Sequence, residues 1–105
     1  MLKSSTKFSE YSLVKSGHEC GSEDTYLDTF DSLSKCSKAC KEEDGCKYFL
    51  FGTGSKKGKC YWEKTNSAEC TDGWKTNQYD FYEIIGLFHF YLKLTSYYYV
   101  DYYNI

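Results

Sequence analysis

The sequence predicts an α+β fold in which one helix packs on a small antiparallel sheet, with disulfides stapling the two together. Three observations predict it. Six cysteines occur in 105 residues, an even number well above ordinary usage. A capped stretch beginning at Ser32 places Leu33, Cys36 and Cys40 on one helical face. Around it lie short aromatic-rich runs bounded by glycines, in a chain without proline.

The elements follow in chain order. Residues 1–7 are polar and read as a frayed terminus. Phe8–Val14 is a candidate first strand. Ser32 reads as a helix N-cap, and Gly45 as the left-handed residue that closes the helix. Within it Lys35, Ser37, Lys38 and Lys41 are expected to point away from the cysteine face. Lys38 and Lys41 suit the C-terminal end of the helix dipole. Cys46–Phe51 is the strongest strand signal; Gly52 to Gly58 form a hairpin loop, and Lys59–Glu63 return antiparallel. Residues 64–78 read as a long loop, and Tyr79–Ile84 alternate as the last strand. Because neighbours on a strand face opposite ways, Phe49, Phe51 and one of Tyr61 and Trp62 are expected in the core.

Residues 85–105 change composition abruptly and hold six of the twelve tyrosines, so they are read as an aromatic extension outside the domain at 8–84. Ile84–Val100 has barely the length of a membrane span, with Lys93 near its centre and tyrosines where apolar side chains belong. That argues against membrane association. The extension reads instead as non-native sequence or as an aromatic strand in need of a partner.

Composition narrows the function. Such a short chain buries roughly 60–68% of its unfolded surface, so its core needs staples. Net charge is only −2 and all thirteen cationic residues are lysine. Without arginine or a basic excess, a nucleic-acid partner is not expected. Cysteine usage points to an oxidising, extracellular setting, yet residues 1–11 lack the apolar run of a secretion signal. The chain is therefore expected to be a piece of a longer secreted protein or an incomplete gene product.

Cys36 and Cys40 lie one turn apart and cannot usefully staple each other. Cys40 can close a short loop to Cys46, and Cys36 can reach the hairpin at Cys60, although sequence alone leaves other connectivities open. The run Ser32-Leu33-Ser34-Lys35-Cys36-Ser37-Lys38-Ala39-Cys40, then Gly45-Cys46-Lys47-Tyr48-Phe49, then Gly58-Lys59-Cys60-Tyr61-Trp62 resembles the PAN/apple domain family. The likeness is greatest to adhesin modules of apicomplexan parasites and other protists. It implies the bridges Cys36–Cys60 and Cys40–Cys46, leaving Cys20 with Cys70. That last pair departs from the usual apple bridge between the chain ends. Cys20 follows the first strand, and Cys70 precedes the last. In the chain-entropy description the bridges rival the whole stability of a small domain, so reduction is expected to unfold this one.

The resemblance implies an extracellular binding or adhesion module for protein or carbohydrate ligands, repeated in tandem or set beside other modules, with no enzymatic activity and no cofactor. Two alternatives are a structural spacer and an intracellular cysteine-rich zinc protein, with His18 a possible fourth ligand. The residues themselves suggest a contact surface of Tyr61, Trp62 and Trp74, since rings give large contact area at small entropic cost. Lys56, Lys57 and Lys59, on a tip that fails the register of a phosphate loop, are candidate contacts for sulfated glycans as point charges. His18 and His89 have no nucleophile and carboxylate nearby in sequence, and Glu42, Glu43 and Asp44 read as a solvated helix end.

Overall fold

The computed structural model describes residues 10–85. The terminus expected at 1–7, the extension beyond Ile85 and His89 lie outside them. The order is β1 (Tyr11–Lys15), β2 (His18–Cys20), β3 (Asp24–Thr29), α1 (Leu33–Lys41), β4 (Tyr48–Gly52), β5 (Lys59–Glu63), β6 (Trp74–Thr76) and β7 (Tyr79–Ile84). All belong to one unit, Tyr11–Ile84. Five strands form an antiparallel sheet in the order β1-β7-β4-β5-β3, and β2 pairs with β6 in a separate antiparallel ribbon. This is an α+β fold with one helix on a small antiparallel sheet, stapled by three disulfides.

The helix starts where Ser32 caps it. Ser32 is extended (φ −151°), and its Oγ accepts a hydrogen bond from the Lys35 backbone N–H at 3.2 Å. The stripe that faces the sheet is wider than the cysteines alone. Ser37, expected to point outwards, is buried. It lies four residues after Leu33 and beside Cys36, inside the apolar face. The helix stops at Glu42, whose N–H donates to the Lys38 carbonyl, and the Glu43 N–H then donates to the Cys40 carbonyl. Gly45 is indeed left-handed (φ +91°), but it belongs to the turn after the helix rather than to its cap. There the Cys46 N–H donates to the Glu43 carbonyl, so β4 begins at Tyr48, two residues later than expected.

The strand β4 is the centre of the molecule. Tyr48, Phe49 and Leu50 are all buried, so both faces of the sheet are covered. On the helix side Phe49 lies with Cys36, Cys40, Cys46 and Cys60, and stacks on Tyr82 at 5.1 Å. On the other side Tyr48, Leu50, Tyr79 and Phe81 pack with Cys20 and Cys70. Phe51 is only partly buried, and Tyr61 and Trp62 both pack against the core, one on each face. The β2–β6 ribbon and the edge strand β3 come from stretches without a strand signal. Residues 15–31 contain β2 and β3, and the expected loop at 64–78 contains β6.

The chain between β4 and β5 is a 3-10 turn, Gly54–Lys56, held by Gln78: the Ser55 N–H donates to Gln78 Oε1 at 3.1 Å. At its far end Gly58 is left-handed (φ +87°), and a Cβ there would lie 2.7 Å from the Phe30 carbonyl oxygen. Only glycine lets that carbonyl-lined approach and that backbone coexist. Both sheet edges, β1 and β3, carry a register shift, at Leu13/Lys15 and at Tyr26/Asp28. Such irregularities blunt an open edge.

Candidate functional site

The structure bonds Cys36 to Cys60, Cys40 to Cys46 and Cys20 to Cys70, and leaves no cysteine free. A zinc–thiolate centre, drawn from sequence as an alternative, has no thiolate to use. His18 meets no cysteine in this role: its Nδ1 lies 2.9 Å from the Ser16 carbonyl, and its Nε2 lies 3.3 Å from Thr76 Oγ1.

The five surface candidates do not form one site. Trp62 belongs to the helix face, with the Lys64 ammonium 4.6 Å from its ring centre. Trp74 lies on the opposite face, edge-on to Phe81 at 4.9 Å, with the Lys15 ammonium 5.5 Å from its ring. Tyr61 shares that second face. Lys56 and Lys57 are exposed on the hairpin turn.

Around Tyr61 the structure assembles a set that sequence reasoning missed. The cross-strand register sets Tyr26 of β3 opposite Tyr61 of β5, with ring centres 5.3 Å apart. Tyr79 of β7 meets Tyr61 edge-on at 5.6 Å from the other side. Tyr26 is 50% exposed, Tyr61 half-buried and Tyr79 buried, so the row runs from solvent into the core. Burial, then its hydrogen bond to Tyr61, pushes the Tyr79 hydroxyl well above its ordinary range. Tyr79 is therefore a neutral hydroxyl, able to donate. The signal that could have found Tyr26 is weak: Thr25, Tyr26 and Leu27 favour a strand, but Asp24 and Asp28 bracket them.

Beside the tyrosines lie three carboxylates. The register places Asp24 directly opposite Glu63, and Glu19 reaches them from β2. Glu63 has no exposed surface; its Oε2 accepts from the Ser22 hydroxyl, and its Oε1 accepts no hydrogen bond. Burial pushes Glu63 up to about 8, and the nearby Asp24 and Glu19 add to this, while the Ser22 hydroxyl and Cys20 backbone N–H oppose it. Burial likewise raises Glu19, helped by Asp24, and raises Asp24, with Lys75 pulling both down. In sequence Glu63 looks like the polar end of a hairpin strand. Only the fold turns it inward.

Among the described residues no helix is long and apolar enough to cross a membrane. The sequence profile of the PAN domain matches residues 3–86. No curated protein and no solved structure matches the chain. PAN domains are protein- or carbohydrate-binding modules of extracellular proteins, and they are not enzymes. The disulfide-pinned helix, the sheet beneath it and the match across most of the chain agree: this chain belongs to the PAN domain family.

Proposed function

We propose that this domain is an extracellular adhesion module that binds a protein or glycan through the tyrosine row centred on Tyr61, as part of a longer secreted chain. The observation that carries the reading is Tyr26: a half-exposed tyrosine on an edge strand, backed by Tyr61 and Tyr79. Rings fixed by their neighbours lose little freedom on binding, and their hydroxyls can meet sugar or peptide polar groups. Trp74, on the same face, and Trp62, on the other, are already engaged with lysines. We assign them to packing first and to contact second. Lys56 and Lys57 would suit a sulfated ligand only as exposed point charges at the hairpin turn. Modules of this kind gain avidity in tandem, so a weak single site is sufficient.

The test is binding of the oxidised domain to an array of immobilised glycans and to cells with and without surface proteolysis. Tyr26→Ala should reduce binding by about tenfold or more, as for a contact at the centre of an interface, with near-UV dichroism unchanged. Signal on the array identifies a carbohydrate ligand; signal only on cells, lost on proteolysis, identifies a protein. Equal binding by wild type and Tyr26→Ala would remove the tyrosine row from the function.

A further inference from the structure

We propose that Glu19, Asp24 and Glu63 form a calcium site where β2, β3 and β5 meet. One carboxylate oxygen from each lies within 4.8 Å of the other two. Calcium holds oxygens at about 2.3–2.6 Å, so oxygens up to about 5 Å apart can share one ion. Magnesium, at about 2.0–2.1 Å in a rigid octahedron, asks for a tighter cage. Every donor is oxygen, which selects a hard cation over zinc or copper.

The second observation is independent of the clustering. Glu63 is fully buried, yet its Oε1 has no hydrogen-bond partner. A buried carboxylate oxygen left without a donor is costly, and a native fold rarely keeps one without a reason. A cation between the three carboxylates supplies the missing partner. It also answers the register, which sets two acids, Asp24 and Glu63, directly opposite each other. The charged and titratable groups around the cluster are Glu23 beside Asp24, Lys75 on β6 and Tyr79 on β7. Lys75, the cation among them, is exposed and acts on Glu19 and Asp24 from the ribbon strand opposite Glu19.

The protein offers three carboxylates and the Ser22 hydroxyl, against the six to eight oxygens calcium prefers. Water completes the shell, and affinity falls in the range of extracellular modules, with Kd about 0.1–1 mM. Glu19 and Asp24 are only partly buried, so the ion has a route in.

The experiment is calorimetric titration of the oxidised 105-residue chain with calcium chloride, paired with melting curves at each calcium level. One ion should bind per chain and raise the Tm. Glu63→Gln, nearly isosteric, should weaken binding by about tenfold or more and abolish the calcium-dependent rise in Tm. Asp24→Asn, on the sheet edge, should do the same and guards against a Glu63 variant that fails to fold. Glu42→Gln, at the exposed helix end, should bind as wild type does. No saturable binding by the wild-type chain, or wild-type affinity in both Glu63→Gln and Asp24→Asn, would overturn the site.

Discussion

On one face of the sheet a nine-residue helix covers Phe49, tied down by bridges at two successive turns, to Cys60 and to Cys46. On the other face two strands of three residues each cover Phe81, closed by the single bridge between Cys20 and Cys70. The helix carries its own cap, its own ladder and a continuous apolar stripe. The ribbon has little that is local, because two three-residue strands joined through the chain between Cys20 and Trp74 cannot hold together alone. It depends on its bridge, on the Gly21–Gly73 backbone hydrogen bond of 2.8 Å and on the rings beneath it. The helix face buries a neutral serine, Ser37, whereas the ribbon face buries an acid, Glu63. A small domain can thus secure one layer by local sequence and another by closure over distance.

The largest expected effect separates the two faces directly. The Cys20–Cys70 bridge spans 50 residues and Cys40–Cys46 only 6. In the chain-entropy description these are worth about 4 and about 2 kcal/mol. Replacing Cys20 and Cys70 by serine should therefore cost twice what replacing Cys40 and Cys46 costs, measured by urea unfolding of the oxidised variants. The first change should also loosen the environment of Trp74 while that of Trp62 stays as it was, since the two rings sit on opposite faces. Equal losses, or Trp62 responding first, would mean that the ribbon is not the dependent layer.

The same contrast explains what the sequence could reveal. The helix, the β4–β5 hairpin and β7 are legible because each combines a local period with a punctuating residue: Ser32 before Leu33, Gly58 before Lys59, alternation from Tyr79. The ribbon is not. Three residues, such as His18-Glu19-Cys20, are too few to show alternation, and Trp74-Lys75-Thr76 follows a run of polar turn residues. Ser37 reads as solvated because it stands beside a lysine, although its position on the helix, four residues after Leu33, is enough to bury it. Tyr61 was visible as an aromatic residue, but its partners Tyr26 and Tyr79 lie on two other strands and only the sheet order brings them to it. Glu63 is the same lesson in charge: burial and the register with Asp24 are properties of the fold, not of the residues around it.

The buried acid gives the ribbon face a pH dependence that the helix face lacks. The Glu63 carboxyl rises from an ordinary 4.5 to about 8 in the fold. The native state therefore holds a proton that the unfolded chain releases. Its stabilising contribution is complete below about pH 4.5 and is lost as pH rises through about 8, with a slope of roughly 1.4 kcal/mol per pH unit at most. In calcium-free buffer, unfolding free energy should thus fall between about pH 5 and pH 8, and Glu63→Gln should remove most of that fall. Glu19 and Asp24, both raised, act in the same direction and leave a smaller residual slope. A Glu63→Gln chain with the wild-type pH profile would show that the carboxylates of this face are solvated, and the two faces electrostatically alike.

The smallest expected effect lies at the helix N-terminus, and it measures how far the helix face is secured by its bridges. Ser32 supplies one side-chain hydrogen bond, to the Lys35 N–H, and the first turn contains no acidic residue. Loss of such a cap costs about 0.5–2 kcal/mol. Here the helix is already fixed at Cys36 and Cys40, so fraying can reach back only to the first turn, and the cost of Ser32→Ala should lie near 1 kcal/mol or below. Ser32→Asp keeps the acceptor and adds negative charge at the positive end of the helix, so it should match or slightly exceed wild type. Urea midpoints of the two variants, with unchanged slopes, provide the check. If Ser32→Ala cost as much as losing the Cys20–Cys70 bridge, the helix would be as dependent on remote closure as the ribbon, and the distinction between a locally encoded face and a stapled one would fail.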